Sequence, residues 1–237
     1  MSQCGKDCFK CTGKYCVSKV YIFSTLKPEA FQKISEIIVT KRYRKGQVIF
    51  FEGDVEDKLY IVNVGKIKIY KYNKDGREQI LYILSEGQFI GDMSLLKKEN
   101  FQFNAEALED TLICTIAKDD FDKIITRNPE ITLKILEVLH DRLISLEDLI
   151  QNLSTKDVEV RIASMLLNLA KDFGVESEHG IIINLPLNRE EMANYVGVTR
   201  ETMSRKLTSL QDENVIELVG NKKIIIKDKT YLKDINS

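Results

Sequence analysis

At 237 residues the chain can form one large domain or two modest ones with real hydrophobic cores, and its 43% hydrophobic and 30% charged composition is that of a water-soluble globular protein. No apolar run approaches the roughly 18 residues of a membrane span, and the N-terminus lacks the apolar core of a secretory signal, so neither membrane insertion nor export is expected and the cytoplasm is. With 35 basic and 36 acidic residues the net charge is −1, so any contact with nucleic acid has to be local; two histidines, His140 and His179, leave little material for histidine-dependent catalysis or multi-histidine zinc sites.

The chain opens MSQCGKDCFKCTGKYCVSKV, which holds Cys4, Cys8, Cys11 and Cys16; the remainder offers one more cysteine, Cys114. In a reducing compartment clustered thiols bind metal or do redox chemistry rather than form structural disulfides. The residues alone leave several assignments open. The C-x2-C pair suits a tetrahedral zinc site built from the four arm cysteines, and Cys114 by itself reads as a small buried hydrophobe in a strand.

From about Lys45 to Ala117 short runs rich in Val, Ile, Tyr and Phe are punctuated by glycines, the pattern of antiparallel strands folded into a sandwich or double-sheet roll. In GKIKIYKYNKDGREQILYIL, Ile67 and Ile69 alternate with Lys66 and Lys68, and Asp75-Gly76 predicts a two-residue hairpin turn. After Asn128-Pro129 the pattern changes. In PEITLKILEVLHDRLISLEDLIQNLS, Leu136, Leu139, Leu143, Leu146, Ile150 and Leu153 recur at intervals of three and four, an a/d seam that predicts a dimer helix; the alternative is the buried face of a helix lying on its own domain.

A second helix, VEVRIASMLLNLAKDFG, is expected to stop at Gly174. A charged loop, VESEHG, then leads into two short helices with Gly197 in the turn between them. Two short strands around Gly220-Asn221 follow, so the segment reads as a winged helix-turn-helix. Asn188 with Glu191, and Thr199, are placed to cap the two helices. On the second helix Met203, Leu207 and Leu210 share the inward face, whereas Glu201, Ser204, Arg205 and Thr208 follow the spacing of the opposite face. Those polar types can read base edges: Arg pairs bidentately with guanine, Glu accepts from cytosine, and Ser bonds several bases. Arg189, Arg200, Lys206, Lys222 and Lys223 are candidates for phosphate contacts, which add affinity without sequence information. No Ser-His-Asp set, metal-hydrolase motif or phosphate-binding loop is visible, so the chain is not read as an enzyme.

The segments VGVTRETMSRKL and LNREEMANY resemble the DNA-binding signature of the CRP/FNR family of bacterial transcription regulators, and the likeness extends over nearly the whole chain: GQVIFFEGD, LYIVNVGKIKIY and GQFIGDMSLL resemble that family's cyclic-nucleotide-binding-like roll. The resemblance implies an α+β chain with a cysteine-rich arm at 1–20, an antiparallel β-roll (jelly roll) sensor at 21–128, a dimerisation helix at 129–154 and a winged helix-turn-helix domain at 155–237. It implies a homodimer on double-stranded DNA, with inverted half-sites about one helical turn apart and RNA polymerase as a further partner. Glu201, Ser204 and Arg205 match the E-x-x-S-R of the FNR branch, which reads a TTGAT-type half-site, and Arg200 and Thr208 join them on the DNA-facing helix.

Members that bind cyclic AMP hold its phosphate with an Arg-Ser pair. Here Gln102 and Phe103 fall at those positions, which argues against cyclic AMP, because a buried phosphodiester would lack a compensating cation. The FNR-like oxygen sensors hold a 4Fe-4S cluster with an arm spaced C-x3-C-x2-C-x5-C, whose first cysteine is dispensable, and a fourth ligand in the roll. This arm is spaced C-x3-C-x2-C-x4-C, one residue short between Cys11 and Cys16, and ALEDTLICTIAKDDFDKI carries Cys114 at the roll position. The resemblance therefore implies Cys8, Cys11, Cys16 and Cys114 as cluster ligands. Relatives that respond to a small molecule in the roll, or through a thiol-disulfide switch, supply the alternative mode of control.

Overall fold

A computed structural model describes residues 20–24, 26–55, 57–91, 100–154 and 157–235. The arm cysteines Cys4, Cys8, Cys11 and Cys16, and the residues of GQFIGDMSLL after Gly91, lie outside the described residues. The chain forms two compact units, one of the residues up to Lys71 with Tyr82–Leu143, the other of Tyr72–Leu81 with Ile144 onward.

A helix α1 (Pro28–Ile37) precedes eight strands: β1 (Val39–Tyr43), β2 (Val48–Phe50), β3 (Lys58–Val64), β4 (Ile67–Tyr72), β5 (Glu78–Leu84), β6 (Phe89–Ile90), β7 (Asn104–Ala107) and β8 (Thr111–Ala117). They make two four-stranded sheets ordered β1-β8-β3-β6 and β2-β7-β4-β5, the double-sheet roll that the strand spacing predicts. Between the sheets Phe50 and Phe101 stack at 3.6 Å between ring centroids, and Tyr60 meets both edge-on. Gly91, at φ +98, lies against β3 so closely that a Cβ there would stand 2.2 Å from the carbonyl oxygen of Lys58.

Two features of these strands differ from the sequence pattern. Alternation along β4 predicts a solvent face at Lys66 and Lys68, yet Lys68 is 4% exposed, because the sheet is covered on both faces there. The buried ammonium lies 3.5 Å from the Glu106 carboxylate on β7 and 4.8 Å from the Tyr70 ring, partners that a desolvated cation requires. The turn at Asp75-Gly76 forms, but its loop holds three residues: Asn73 and Arg77 close it, with Gly76 left-handed at φ 72. Asn73 Oδ1 accepts from the amides of Asp75 and Arg77, both at 2.9 Å, and this side-chain turn lengthens the loop beyond the two-residue form.

Strand β8 runs into α2 (Lys118–Arg127), and the long helix α3 (Glu130–Ser154) follows the break at Asn128-Pro129. The outer face of the β1-β8-β3-β6 sheet packs against helices. Leu59, Ile61, Cys114 and Ile116 from the strands share one core with Phe121 of α2, Ile131 and Ile135 of α3, and Val20, Ile22 and Phe23.

In the second unit α4 (Val158–Phe173) starts at Asp157, whose side chain accepts from the Glu159 amide at 2.8 Å. It ends at Gly174 as expected, for a different reason. Gly174 is extended (φ −77) rather than left-handed, and is required because a Cβ would stand 2.2 Å from the Ala170 oxygen and 2.7 Å from an Ile181 methyl. Strands β9 (Gly174–Ser177) and β10 (Gly180–Asn184) form a hairpin where sequence reasoning expects a charged loop. Two helices, α5 (Arg189–Val196) and α6 (Arg200–Asp212), precede β11 (Ile216–Val219), β12 (Lys223–Ile226) and α7 (Lys229–Ile235). The wing is therefore a four-stranded sheet, β11-β12-β10-β9, instead of a lone hairpin; Ile181 and Ile183 bury themselves opposite Ile226 and Ile224. Among the described residues no helix is long and apolar enough to cross a membrane.

Candidate nucleic-acid interface

The helix pair α5–α6 is built by local chemistry. Asn188 Oδ1 accepts from the amides of Glu190 and Glu191 at 2.9 and 3.0 Å, and Glu191 Oε2 accepts in return from the Asn188 amide at 2.6 Å, a complete capping box. Helix α5 ends at Gly197, left-handed at φ 75, whose amide donates to the Ala193 carbonyl at 2.8 Å. Two residues later Thr199 Oγ1 accepts from the Thr202 amide at 3.2 Å and starts α6. The turn between the helices is short because one residue type permits the reversal and the next caps the new helix.

Helix α6 has the two faces its spacing predicts. Met203, Leu207 and Leu210 are buried, whereas Arg200, Glu201, Ser204, Arg205 and Thr208 are exposed. Thr199, Arg200, Glu201 and Ser204 line a shallow concavity at the helix N-terminus, where the amide ends favour anionic groups. The Thr208 hydroxyl donates to the Ser204 carbonyl at 3.1 Å, which leaves its oxygen to accept from outside. The face thus presents a cation, an anion and hydroxyls side by side, a donor and acceptor mixture suited to base edges rather than to a uniform polyanion.

The basic residues around this face are in different situations. Lys222 is exposed at the tip of the β11–β12 turn and Lys223 is half-buried at the start of β12. Arg189 is half-buried, burial draws its pKa down, and its guanidinium donates to the Met192 sulfur at 3.3 Å. Lys206 sits on the flank of α6 with its ammonium 2.6 Å from Glu159 Oε2 on α4. That hydrogen bond, foremost among the causes, holds the Lys206 pKa above the usual lysine value. Three contacts that fix the helix pair α5–α6 were not visible in the sequence: Lys206 to Glu159, Arg161 of α4 to the Val196 carbonyl at 3.0 Å, and Tyr231 of α7 to Glu213 at 2.8 Å. Each joins residues distant in the chain, and neither periodicity nor spacing carries such information.

On helix α3 four of the six predicted seam residues are exposed: Leu136 (55%), Leu143 (56%), Leu146 (37%) and Ile150 (67%). Leu139 is partly buried and packs on the core of its own unit, and the Leu153 side chain lies outside the described residues. Leu133 and Ile144, which the heptad pattern does not single out, are exposed as well.

Of the candidate metal ligands, Cys114 is described and fully buried. It lies on β8 between β1 and β3, opposite Thr40 and Ile61, with its sulfur 3.6 Å from the Thr40 hydroxyl. Among the described residues no group of three His, Cys, Asp or Glu side chains could hold a metal. At the positions where cyclic-AMP binders carry Arg-Ser, Gln102 is exposed and donates to the Asn100 carbonyl, while Phe103 joins the aromatic group between the sheets.

Comparison with known proteins agrees with both halves of this structure. The family model for a cyclic nucleotide-binding domain matches residues 40–128, and that for a Crp-like helix-turn-helix domain matches residues 160–235. An anaerobic regulatory protein of Haemophilus influenzae is 30% identical over 98% of this chain and 88% of its own length. A CRP-like cAMP-activated global transcriptional regulator of Mycobacterium tuberculosis is 29% identical over 91% of this chain and 96% of its own. Among solved structures, that of a CooA mutant from Carboxydothermus hydrogenoformans superposes with a TM-score of 0.77 at 27% identity, covering 91% of this chain and 94% of that one. A double-sheet roll, a long helix and a capped helix-turn-helix, together with these likenesses, show that the chain belongs to the CRP/FNR family of DNA-binding transcription regulators.

Proposed function

We propose that the protein is a homodimer that reads an inverted TTGAT-like site, with Glu201, Ser204 and Arg205 on base edges and Arg200 and Thr208 beside them. DNA affinity is set by an oxygen- or nitric-oxide-sensitive 4Fe-4S cluster held by Cys8, Cys11, Cys16 and Cys114. The observation that carries the DNA reading is the exposed polar face of α6 opposite the buried Met203, Leu207 and Leu210. The half-exposed leucines of α3 support self-association through that helix. Lys222 and Lys223 supply sequence-blind attraction to phosphates, with Arg189 a more buried contributor.

The donor set fits the cluster: Cys114 is a thiol in an apolar core, and Val20, Ile22 and Phe23, which begin four residues after Cys16, pack into that same core. A cluster there supplies an oxygen-labile link between arm and roll. The chain's own residues do the rest. Tyr21 donates to Glu137, Lys134 donates to the Tyr21 hydroxyl at 3.0 Å, and Lys134 pairs with Glu137 at 2.9 Å, so the arm's exit is fastened to α3. Release of the arm shifts the balance between pairings of the two α3 helices, and with it the separation of the two reading heads. The protein works in the cytoplasm, with RNA polymerase as its further partner. The placement of Gln102 and Phe103 supports control by something other than cyclic AMP.

Anaerobic purification tests the reading. The expected protein is brown, carries about four irons per subunit and loses affinity for the inverted site in air. A colourless protein with stoichiometric zinc, or undiminished regulation in Cys8→Ser, overturns the cluster and favours an effector in the roll.

A further inference from the structure

Lys206 stands next to Arg205, on the flank of α6 between its exposed and buried faces. A lysine there would ordinarily reach for a phosphate and add affinity for any sequence. In this molecule the ammonium is already held, 2.6 Å from Glu159 Oε2, with the two side chains 33% and 30% exposed, so water screens the pair less than an open surface pair. Asp157, the cap of the same helix, adds further negative charge at Lys206, whereas Arg205 and partial burial oppose it. Lys206 also acts on Glu213, which accepts from Tyr231 at 2.8 Å and from Ser209 at 3.0 Å. The flank of the reading helix is therefore electrically closed, while its front is open.

We propose that Glu159 is a specificity-determining residue: it withholds Lys206 from DNA phosphates, so that binding depends more on the base contacts of α6 and less on attraction common to all DNA. Electrostatics supports this whether or not the pair opens. Intact, it brings no net charge to the backbone; opened, it leaves the Glu159 carboxylate facing the phosphates that drew the lysine away. The pair is thus a local subtraction from sequence-blind affinity, set beside the residues that discriminate. The inference rests on α6 as the base-reading helix.

The full-length dimer, titrated with an inverted TTGAT duplex and with a random duplex of equal length across a range of salt, tests it. In Glu159→Gln the salt slope on random DNA should steepen by about 1 per subunit. Random-duplex affinity should rise severalfold, and the ratio of specific to random binding should fall. Glu159→Gln/Lys206→Gln should return the slope and ratio to the parent values. Unchanged slope and ratio in Glu159→Gln overturn the proposal, as does a gain that survives in the double variant, which would assign the effect to the Glu159 charge alone. Glu159→Ala, checked by thermal melting, repeats the measurement should the glutamine disturb the cap at Asp157. Arg205→Ala run alongside separates the two ideas, because undiminished discrimination there sinks the reading of α6 itself.

Discussion

Leu143→Ala tests the α3 seam at a side chain more than half exposed in the single chain. Burying a whole leucine side chain is worth about 1.5–3 kcal/mol. In the single chain Leu143 remains 56% exposed, so about half of that gain, roughly 1–1.5 kcal/mol per subunit, is left for a partner to supply. A two-fold interface loses the contribution twice. The variant's dimer should therefore be weaker by about 2–3 kcal/mol, which is about 30- to 150-fold in the dissociation constant. Sedimentation equilibrium measures that constant, and the melting of the dissociated subunit should fall only by the smaller share of Leu143 already covered within its own chain. Leu139→Ala makes the contrast, since its side chain packs into its own core and should lower subunit stability as well. A Leu143→Ala dimer as tight as the parent would refute the assignment of this face to self-association.

Asn188→Ala removes the oxygen that accepts two amides of α5 and should cost about 1 kcal/mol in chemical denaturation, with no change in the dimer constant. Gly91→Ala should be far more disruptive, because its Cβ would have to stand 2.2 Å from the Lys58 oxygen in a left-handed residue; greatly reduced soluble yield or a much lower melting temperature is expected. Arg205→Ala should weaken binding to the inverted site by about 1–3 kcal/mol and relax discrimination at one guanine, whereas equal losses on specific and random duplex would make it a phosphate contact.

The helix-turn-helix was legible because its signals are local. Asn188, Glu191, Gly197 and Thr199 each act within a few residues of themselves, and Met203, Leu207 and Leu210 declare the inner face by spacing alone. Where burial depends on a distant neighbour the pattern misled. Lys68 reads as a solvent position and is instead covered and paired with Glu106, while the isoleucines of β10 form a strand between β9 and β12, the latter far from them in the chain. Lys206 illustrates the same limit at the interface. Its place on the helix follows from the sequence, but the carboxylate that occupies it lies 47 residues away. Cys114 is intermediate, since burial in a central strand follows from its apolar neighbours and its proximity to the arm's exit does not.

In the proposed function, an oxygen-labile cluster controls a dimer whose α6 helices read paired half-sites. Fluorescence anisotropy with an inverted TTGAT duplex, recorded on one anaerobic sample before and after exposure to air while its iron absorption is followed, tests this control directly. Affinity for the site should fall as the visible absorption bleaches, with binding to random duplex little changed. Affinity that is the same on both sides of the bleaching, or a sample with no iron absorption that still binds the site fully, would contradict it.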